Sequence, residues 1–281
     1  MIVWIASYPK SGNTWIRSII SSLIYTKDGH FKFEDLKNIP QFPQKKFFDS
    51  FTNEFGNIHE IKKYWILAQD KINLDKKIKF FKTHHANCKI DRYAFTDRPN
   101  TLATIYIVRD PRNVVQSISN HFSMTITDSK QFLFSPKVIG QKSDKNFTKN
   151  DLLTILGSWK DHYVSWVKHN ENLLLIKYED LIKNPEEELD RIILFLKKFM
   201  SIETTREKKN NILKKTSFEN LKEMEKNGFF EENAFNKIEN NKVNFFHLGP
   251  MNDWKKFLDK GTKEEIEKNF KNEMRELNYL N

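Results

Sequence analysis

Ile2-Val3-Trp4-Ile5-Ala6-Ser7-Tyr8-Pro9-Lys10-Ser11-Gly12-Asn13-Thr14-Trp15 reads in succession as a strand, a tight loop and a helix start. Ile2, Val3, Trp4 and Ile5 are uninterrupted β-formers, as suits a buried parallel strand, and Pro9 and Gly12 punctuate a turn. Beyond it, Trp15, Ile16, Ile19, Ile20, Leu23 and Ile24 recur at helical spacing, with Arg17, Ser18, Ser21 and Ser22 between them. The first N–H groups of such a helix lack intrahelical acceptors and its dipole adds partial positive charge, so a phosphate-sized anion fits there. Lys10 brings a cation to the same place. The loop departs from the nucleotide-binding Walker pattern, which needs Gly, four residues, then Gly-Lys-Ser/Thr. Here Ser7 stands in place of the first Gly, Asn13 in place of the Lys, and the lysine precedes Gly12. Taken alone, the pattern also fits a plain strand-to-helix connection.

The rest of the chain sets the frame for this loop. Its 281 residues suffice for a large core, no Pro/Ser/Gly-rich linker divides it, and one domain spanning 1–281 is expected. The net charge of +10 is compatible with an anionic ligand. Basic and acidic residues are interspersed, as from Lys183 to Lys198 and from Lys263 to Arg275, so no one-sided basic stripe points to nucleic acid. Cys88 is the only cysteine, which excludes an internal disulfide framework and any multi-cysteine zinc site. No apolar run reaches the roughly 20 residues of a membrane helix, and Met1 leads directly into the first strand. A soluble, cytoplasmic protein without a membrane span is expected.

After the first helix, residues 28–77 mix charges with Phe31, Phe33, Phe42, Phe47, Phe48, Phe51 and Phe55 at poor periodicity, which predicts an elaborated connection with short helices. Strands are predicted at Ile78–Thr83, Leu102–Val108 and Leu173–Tyr178. Helices are predicted from Asp110-Pro111 to about His121, over Lys149–Lys168, from Pro185, and at about 203–215 and 262–277. Strands alternating with helices predict an α/β fold, a central mainly parallel sheet flanked by helices on both faces, with ligands at the carboxyl ends of the strands. No internal repeat or low-complexity tract interrupts it.

Three of these strand ends carry polar residues. The first delivers Lys10, Ser11, Gly12, Asn13 and Thr14. The second ends Lys82-Thr83-His84-His85, where alternation puts Lys82 and His84 on one face as a candidate charge stabiliser and base. The third ends Arg109-Asp110-Pro111, and Arg109 can fork onto a phosphate that Ser117 also reaches from the helix that follows. Exposed polar residues closing a strand, and a surface arginine with a helix serine, are the bland readings. Asp110 imitates a magnesium-binding acid, but its place directly before Pro111 favours a helix cap.

Taken in order, Ser7-Tyr8-Pro9-Lys10-Ser11-Gly12-Asn13-Thr14-Trp15, Lys82-Thr83-His84, Arg109 with Ser117, Tyr178-Glu179-Asp180 with Asn184-Pro185, Thr216-Ser217-Phe218 and Gly249-Pro250-Met251-Asn252-Asp253-Trp254-Lys255 resemble the motif series of the sulfotransferase family. These enzymes use 3′-phosphoadenosine 5′-phosphosulfate as sulfuryl donor and release adenosine 3′,5′-bisphosphate. The resemblance runs over residues 3–255 and is closest in layout to the soluble cytosolic branch. It implies a P-loop-kinase-like fold and no required metal. Lys10, Ser11, Gly12, Asn13 and Thr14 match the loop around the 5′-phosphosulfate, and Trp15 an aromatic on adenine. Arg109 and Ser117 match the 3′-phosphate clamp. Tyr178, Thr216 and Phe218 match residues around the nucleotide, His84 the catalytic base and Lys82 a cation near the transferred group.

Departures from the family pattern are also legible. The cytosolic branch carries Arg-Lys-Gly where this chain has His247-Leu248-Gly249, so only the Gly249 backbone carries over. Asn13 replaces a threonine of that branch. Its dimerisation segment has no counterpart near Asp259-Lys260, which leaves the oligomeric state open. The acceptor is a small molecule, lipid or carbohydrate offering a hydroxyl or amine, with aromatics in 28–77, 121–147 and 229–246 as candidates for its pocket. Two competing readings are an ATP-dependent kinase using Asp110 for magnesium and a binding protein that keeps the fold without catalysis.

Overall fold

The computed structural model describes residues 1–140, 152–168, 171–230, 234–236 and 241–280. Four parallel strands form its centre: β1 (Ile2–Ser7), β2 (Lys79–Thr83), β3 (Thr101–Val108) and β4 (Leu173–Lys177), in the order β2-β1-β3-β4. All six residues of β1 are buried, because helices cover the sheet on both sides. Val3 and Ile5 face one core with Ile16, Ile20, Leu189 and Ile192. Ile2, Trp4 and Ala6 face the other with Trp65, Val114, Ile118 and Trp166. The outer edge of β2 is covered by the chain at Pro40–Phe42, where Phe42 N donates to Lys82 O at 2.9 Å and Lys82 N to Pro40 O at 3.0 Å.

The first helix, α1 (Asn13–Tyr25), follows Gly12, whose φ of 103° is left-handed. The 28–77 connection holds short helices, including α2 (Trp65–Asn73), as its irregular pattern predicts. The helix after β3, α3 (Pro111–Phe122), begins as expected, with the Asp110 carboxylate accepting from Arg112 N at 2.9 Å and Pro111 in the first turn. Tyr178 is the first residue of a short helix, α4 (Tyr178–Lys183), rather than the last of its strand. Pro185 then opens Pro185–Leu196.

Two helix predictions are corrected. The expected helix at 149–168 begins only at Trp159, and residues 149–151 lie outside the described residues. Leu152, Leu153 and Leu156 have helical spacing, but Thr154–Ile155 pairs antiparallel with Val138–Ile139. Gly157 turns the chain at φ 68°, and Ser158 and Asp161 form a reciprocal cap that sets the true start. The segment 262–277 is two helices, Lys260–Asn269 and Lys271–Glu276, separated at Phe270, whose φ of −113° breaks the helical run.

Candidate active site

In the order β2-β1-β3, the chain leaves β1 toward one side for β2 and comes back to the other for β3. Crevices open at the carboxyl ends of strands where such an order reverses. The loop after β1 and the corner after β3 therefore meet, and Arg109 Nη1 donates to Lys10 O at 3.3 Å. A cavity of about 980 Å³ opens there, room for a nucleotide and a second molecule. Lys10, Gly12, Asn13, Thr14, Trp15, Lys82, His84, Arg109, Ser117, Tyr178, Phe218 and Gly249 all line it. Ser11 and Thr216 do not. Ser11 is fully enclosed, and the Thr216 hydroxyl donates to Ile212 O at 2.8 Å at the end of its own helix, with 1% of the residue exposed.

The β1 loop is held in a strained shape. Lys10 takes a left-handed φ of 64°, costly for a residue with a side chain, and its ammonium lies 3.5 Å from the centre of the Phe245 ring. Gly12 cannot be replaced without loss, since a Cβ there would stand 2.6 Å from the Tyr178 ring besides needing positive φ. Asn13 is turned inward, donating to Ile5 O at 3.0 Å and Ser7 Oγ at 3.2 Å, so it ties the helix start to the strand that feeds it. This explains how the loop keeps its form without the threonine of the family pattern.

Arg109 is 5% exposed and enclosed on several sides. Its guanidinium lies 4.1 Å from the Tyr178 ring centre, and Tyr178 meets Trp15 edge-on at 5.5 Å. Nη1 donates to Ser117 Oγ at 3.1 Å and Nη2 to Gly249 O at 3.3 Å, while Nε is buried with no hydrogen-bond partner among the described residues. Behind it, the corner is locked by charge. Arg112 Nε and Nη2 hold the Asp110 carboxylate at 3.0 and 2.6 Å, and Arg112 Nη1 reaches Glu267. Glu179 accepts from Asp110 N at 3.1 Å and from the Tyr279 hydroxyl at 2.8 Å, and burial raises its carboxyl pKa above the ordinary range.

His84 and Lys82 line the same cavity from the end of β2, while Thr83 and His85, between and after them, are fully buried, as strand alternation predicts. His84 Nδ1 lies 2.8 Å from Ser7 O, an atom that can only accept, so Nδ1 carries the proton and Nε2 is the basic nitrogen of the neutral ring. The His84 carbonyl accepts from His162 Nε2 at 3.1 Å, and the Tyr106 hydroxyl donates to His162 Nδ1 at 2.8 Å. Burial pushes the His162 pKa down to about 3, so this ring stays neutral and its hydrogen bonds keep one direction.

Buried neutral histidines make the fold acid-sensitive. Burial also pushes His85 down to about 3. Between that value and the unfolded value near 6.5, the unfolded chain binds protons that the folded chain refuses, so stability is lost as pH falls through this window. The expected loss is about 1.4 kcal/mol per pH unit for each such group. Urea unfolding at pH 5 and pH 7 should show the drop, and His162→Gln should lessen it.

Three residues near the site have no individual role in the sequence reading, although His121 opens the 121–147 range of pocket candidates. His121 lines the cavity, its Nδ1 buried and without a hydrogen-bond partner among the described residues. Burial, then the nearby Lys10, His84 and Lys82, hold its pKa well below the ordinary value. Its place one helical turn past Ser117 is the signal that marks this face. Asn252 lies within the late motif and touches Ser117. His162 carries no sequence signal, since only folding joins it to His84.

The family described as Sulfotransferase domain matches residues 2–278. Sulfotransferase 2A1 of Macaca fascicularis is 27% identical over 277 residues, covering 98% of this chain and 85% of that protein. The amine sulfotransferase of Oryctolagus cuniculus is 25% identical over 285 residues, covering 98% and 81%. Among solved structures, mouse sulfotransferase SULT7A1 complexed with PAP superposes with a TM-score of 0.59 at 21% identity, covering 98% of this chain and 84% of that one, a likeness of fold.

Proposed function

We propose that this chain, which belongs to the sulfotransferase family, transfers a sulfuryl group from 3′-phosphoadenosine 5′-phosphosulfate to a hydroxyl or amine of an acceptor in the cytoplasm. The observation that carries this reading is the meeting of two anion-seeking elements at one strand edge, the Lys10 loop and the Arg109–Ser117 pair, joined at 3.3 Å. The residues suit the donor. The Arg109 guanidinium and the α1 start bring positive charge and donors to anions, and the walls of Trp15, Tyr178 and Phe218 suit a flat base.

When bound, the donor supplies an activated sulfuryl group on a phosphate leaving group. Lys10 and the first amides of α1 stabilise the charge that gathers on the departing phosphate oxygen. His84 Nε2 takes the acceptor proton, with Ser7 O holding the opposite nitrogen protonated. Lys82 offsets charge on the transferred group. The amine-directed rabbit relative supports leaving both hydroxyl and amine acceptors open; small molecules, lipids and carbohydrates all meet the requirement.

The kinase reading is disfavoured by Asp110, whose two oxygens are engaged by Arg112. Adenosine 3′,5′-bisphosphate without metal should raise the melting temperature, and ATP with magnesium should not; the opposite pattern would overturn the proposal. Arg109→Ala should weaken adenosine 3′,5′-bisphosphate binding by about 10- to 150-fold, the loss of a charge-assisted hydrogen bond. Unchanged affinity by calorimetry would remove Arg109 from the clamp.

A further inference from the structure

The family pattern leaves a gap at the 3′-phosphate, where His247 and Leu248 replace an arginine and a lysine. The surrounding hydrogen bonds point to a substitute. Ser117 Oγ receives two donors, Arg109 Nη1 at 3.1 Å and Asn252 Nδ2 at 3.0 Å. A serine hydroxyl has two acceptor lone pairs and one proton. With both lone pairs taken, the proton is directed away from Arg109 and Asn252, and Ser117 lines the cavity.

The Asn252 amide has little freedom to do otherwise. The residue is 6% exposed, and the same Nδ2 donates to Asn113 O at 2.8 Å; turned over, the amide would set its oxygen against that carbonyl. Its neighbours are pinned as well. Trp254 N donates to Asn113 Oδ1 at 2.9 Å, and Gly249 O accepts from Arg109 Nη2 at 3.3 Å. Gly249 sits at φ 51°, and a Cβ there would lie 2.1 Å from the Phe218 ring. One short loop thus engages both members of the clamp.

We propose that Asn252 is a positioning residue of the nucleotide site, which orients the Ser117 hydroxyl so that its proton is presented to the 3′-phosphate. In this way a fixed hydrogen-bond direction replaces part of what the missing cations supply. The proposal rests on the reading that the 3′-phosphate lies at Arg109 and Ser117.

The test compares two nucleotides by calorimetry, adenosine 3′,5′-bisphosphate and adenosine 5′-phosphate, which lacks the 3′-phosphate, on the wild type, Asn252→Ala and Asn252→Asp. The wild type should prefer the bisphosphate, and Asn252→Ala should reduce that preference about tenfold with adenosine 5′-phosphate binding unchanged. Asn252→Asp keeps the volume but accepts the Ser117 proton and adds negative charge, so it should lose more, roughly a hundredfold. An undiminished preference in both variants, or equal losses for both nucleotides, would overturn the role of Asn252. A wild type that binds the two alike would instead overturn the placement of the 3′-phosphate, and the inference with it.

Discussion

His84→Ala is expected to lower turnover by about 10²- to 10⁴-fold, the usual contribution of a positioned general base, while affinity for adenosine 3′,5′-bisphosphate stays nearly constant. The asymmetry follows from the proposed division of labour, in which Arg109 and Ser117, hydrogen-bonded to each other at 3.1 Å, bind the nucleotide, and His84, on the loop after β2, serves the acceptor. His84 Nδ1 is committed to Ser7 O at 2.8 Å, which makes Nε2 the ring nitrogen that can take up a proton. His85→Ala is the informative control. That ring is buried and stacked 4.1 Å from Phe95, and its loss should lower stability rather than the chemical step. Rates are to be measured with an acceptor found by screening extracts with labelled donor; full activity of His84→Ala would remove His84 from the role of base.

Lys10→Ala is expected to cut turnover by about 10²- to 10³-fold, comparable with removing one preorganised donor from an oxyanion site. The chain invests strain in this residue, keeping it at φ 64° in the turn before Gly12. On the proposed mechanism its compact ammonium charge matters most when negative charge appears on the leaving oxygen, so the loss should fall on kcat more than on product affinity. Lys10→Met, which retains the stem, should be nearly as slow. A variant that binds the bisphosphate weakly yet turns over normally when saturated would assign Lys10 to binding alone.

Much of this was legible in the sequence because strong local signals agreed with the fold. The apolar run at Ile2–Ile5, Gly12 in its turn and Asp110-Pro111 at a helix start each have one low-energy reading, and the structure adopts it. The helix expected at 149–168 failed because Leu152 and Leu156 bury equally well from a non-helical segment, and periodicity does not distinguish these arrangements. Ser11 and Thr216 belong to motifs next to the cavity but turn inward, which a motif alone does not reveal. His162 and Tyr106 reach the site from a distant helix and from the middle of β3, so their relation to His84 exists only in three dimensions.

A crystal structure with adenosine 3′,5′-bisphosphate bound tests the central claim most directly. The account predicts the 5′-phosphate within hydrogen-bonding distance of Lys10 Nζ and the first amides of α1, and the 3′-phosphate against Arg109 and Ser117. A nucleotide bound elsewhere, or bound with Lys10 and Arg109 remote from both phosphates, would contradict it.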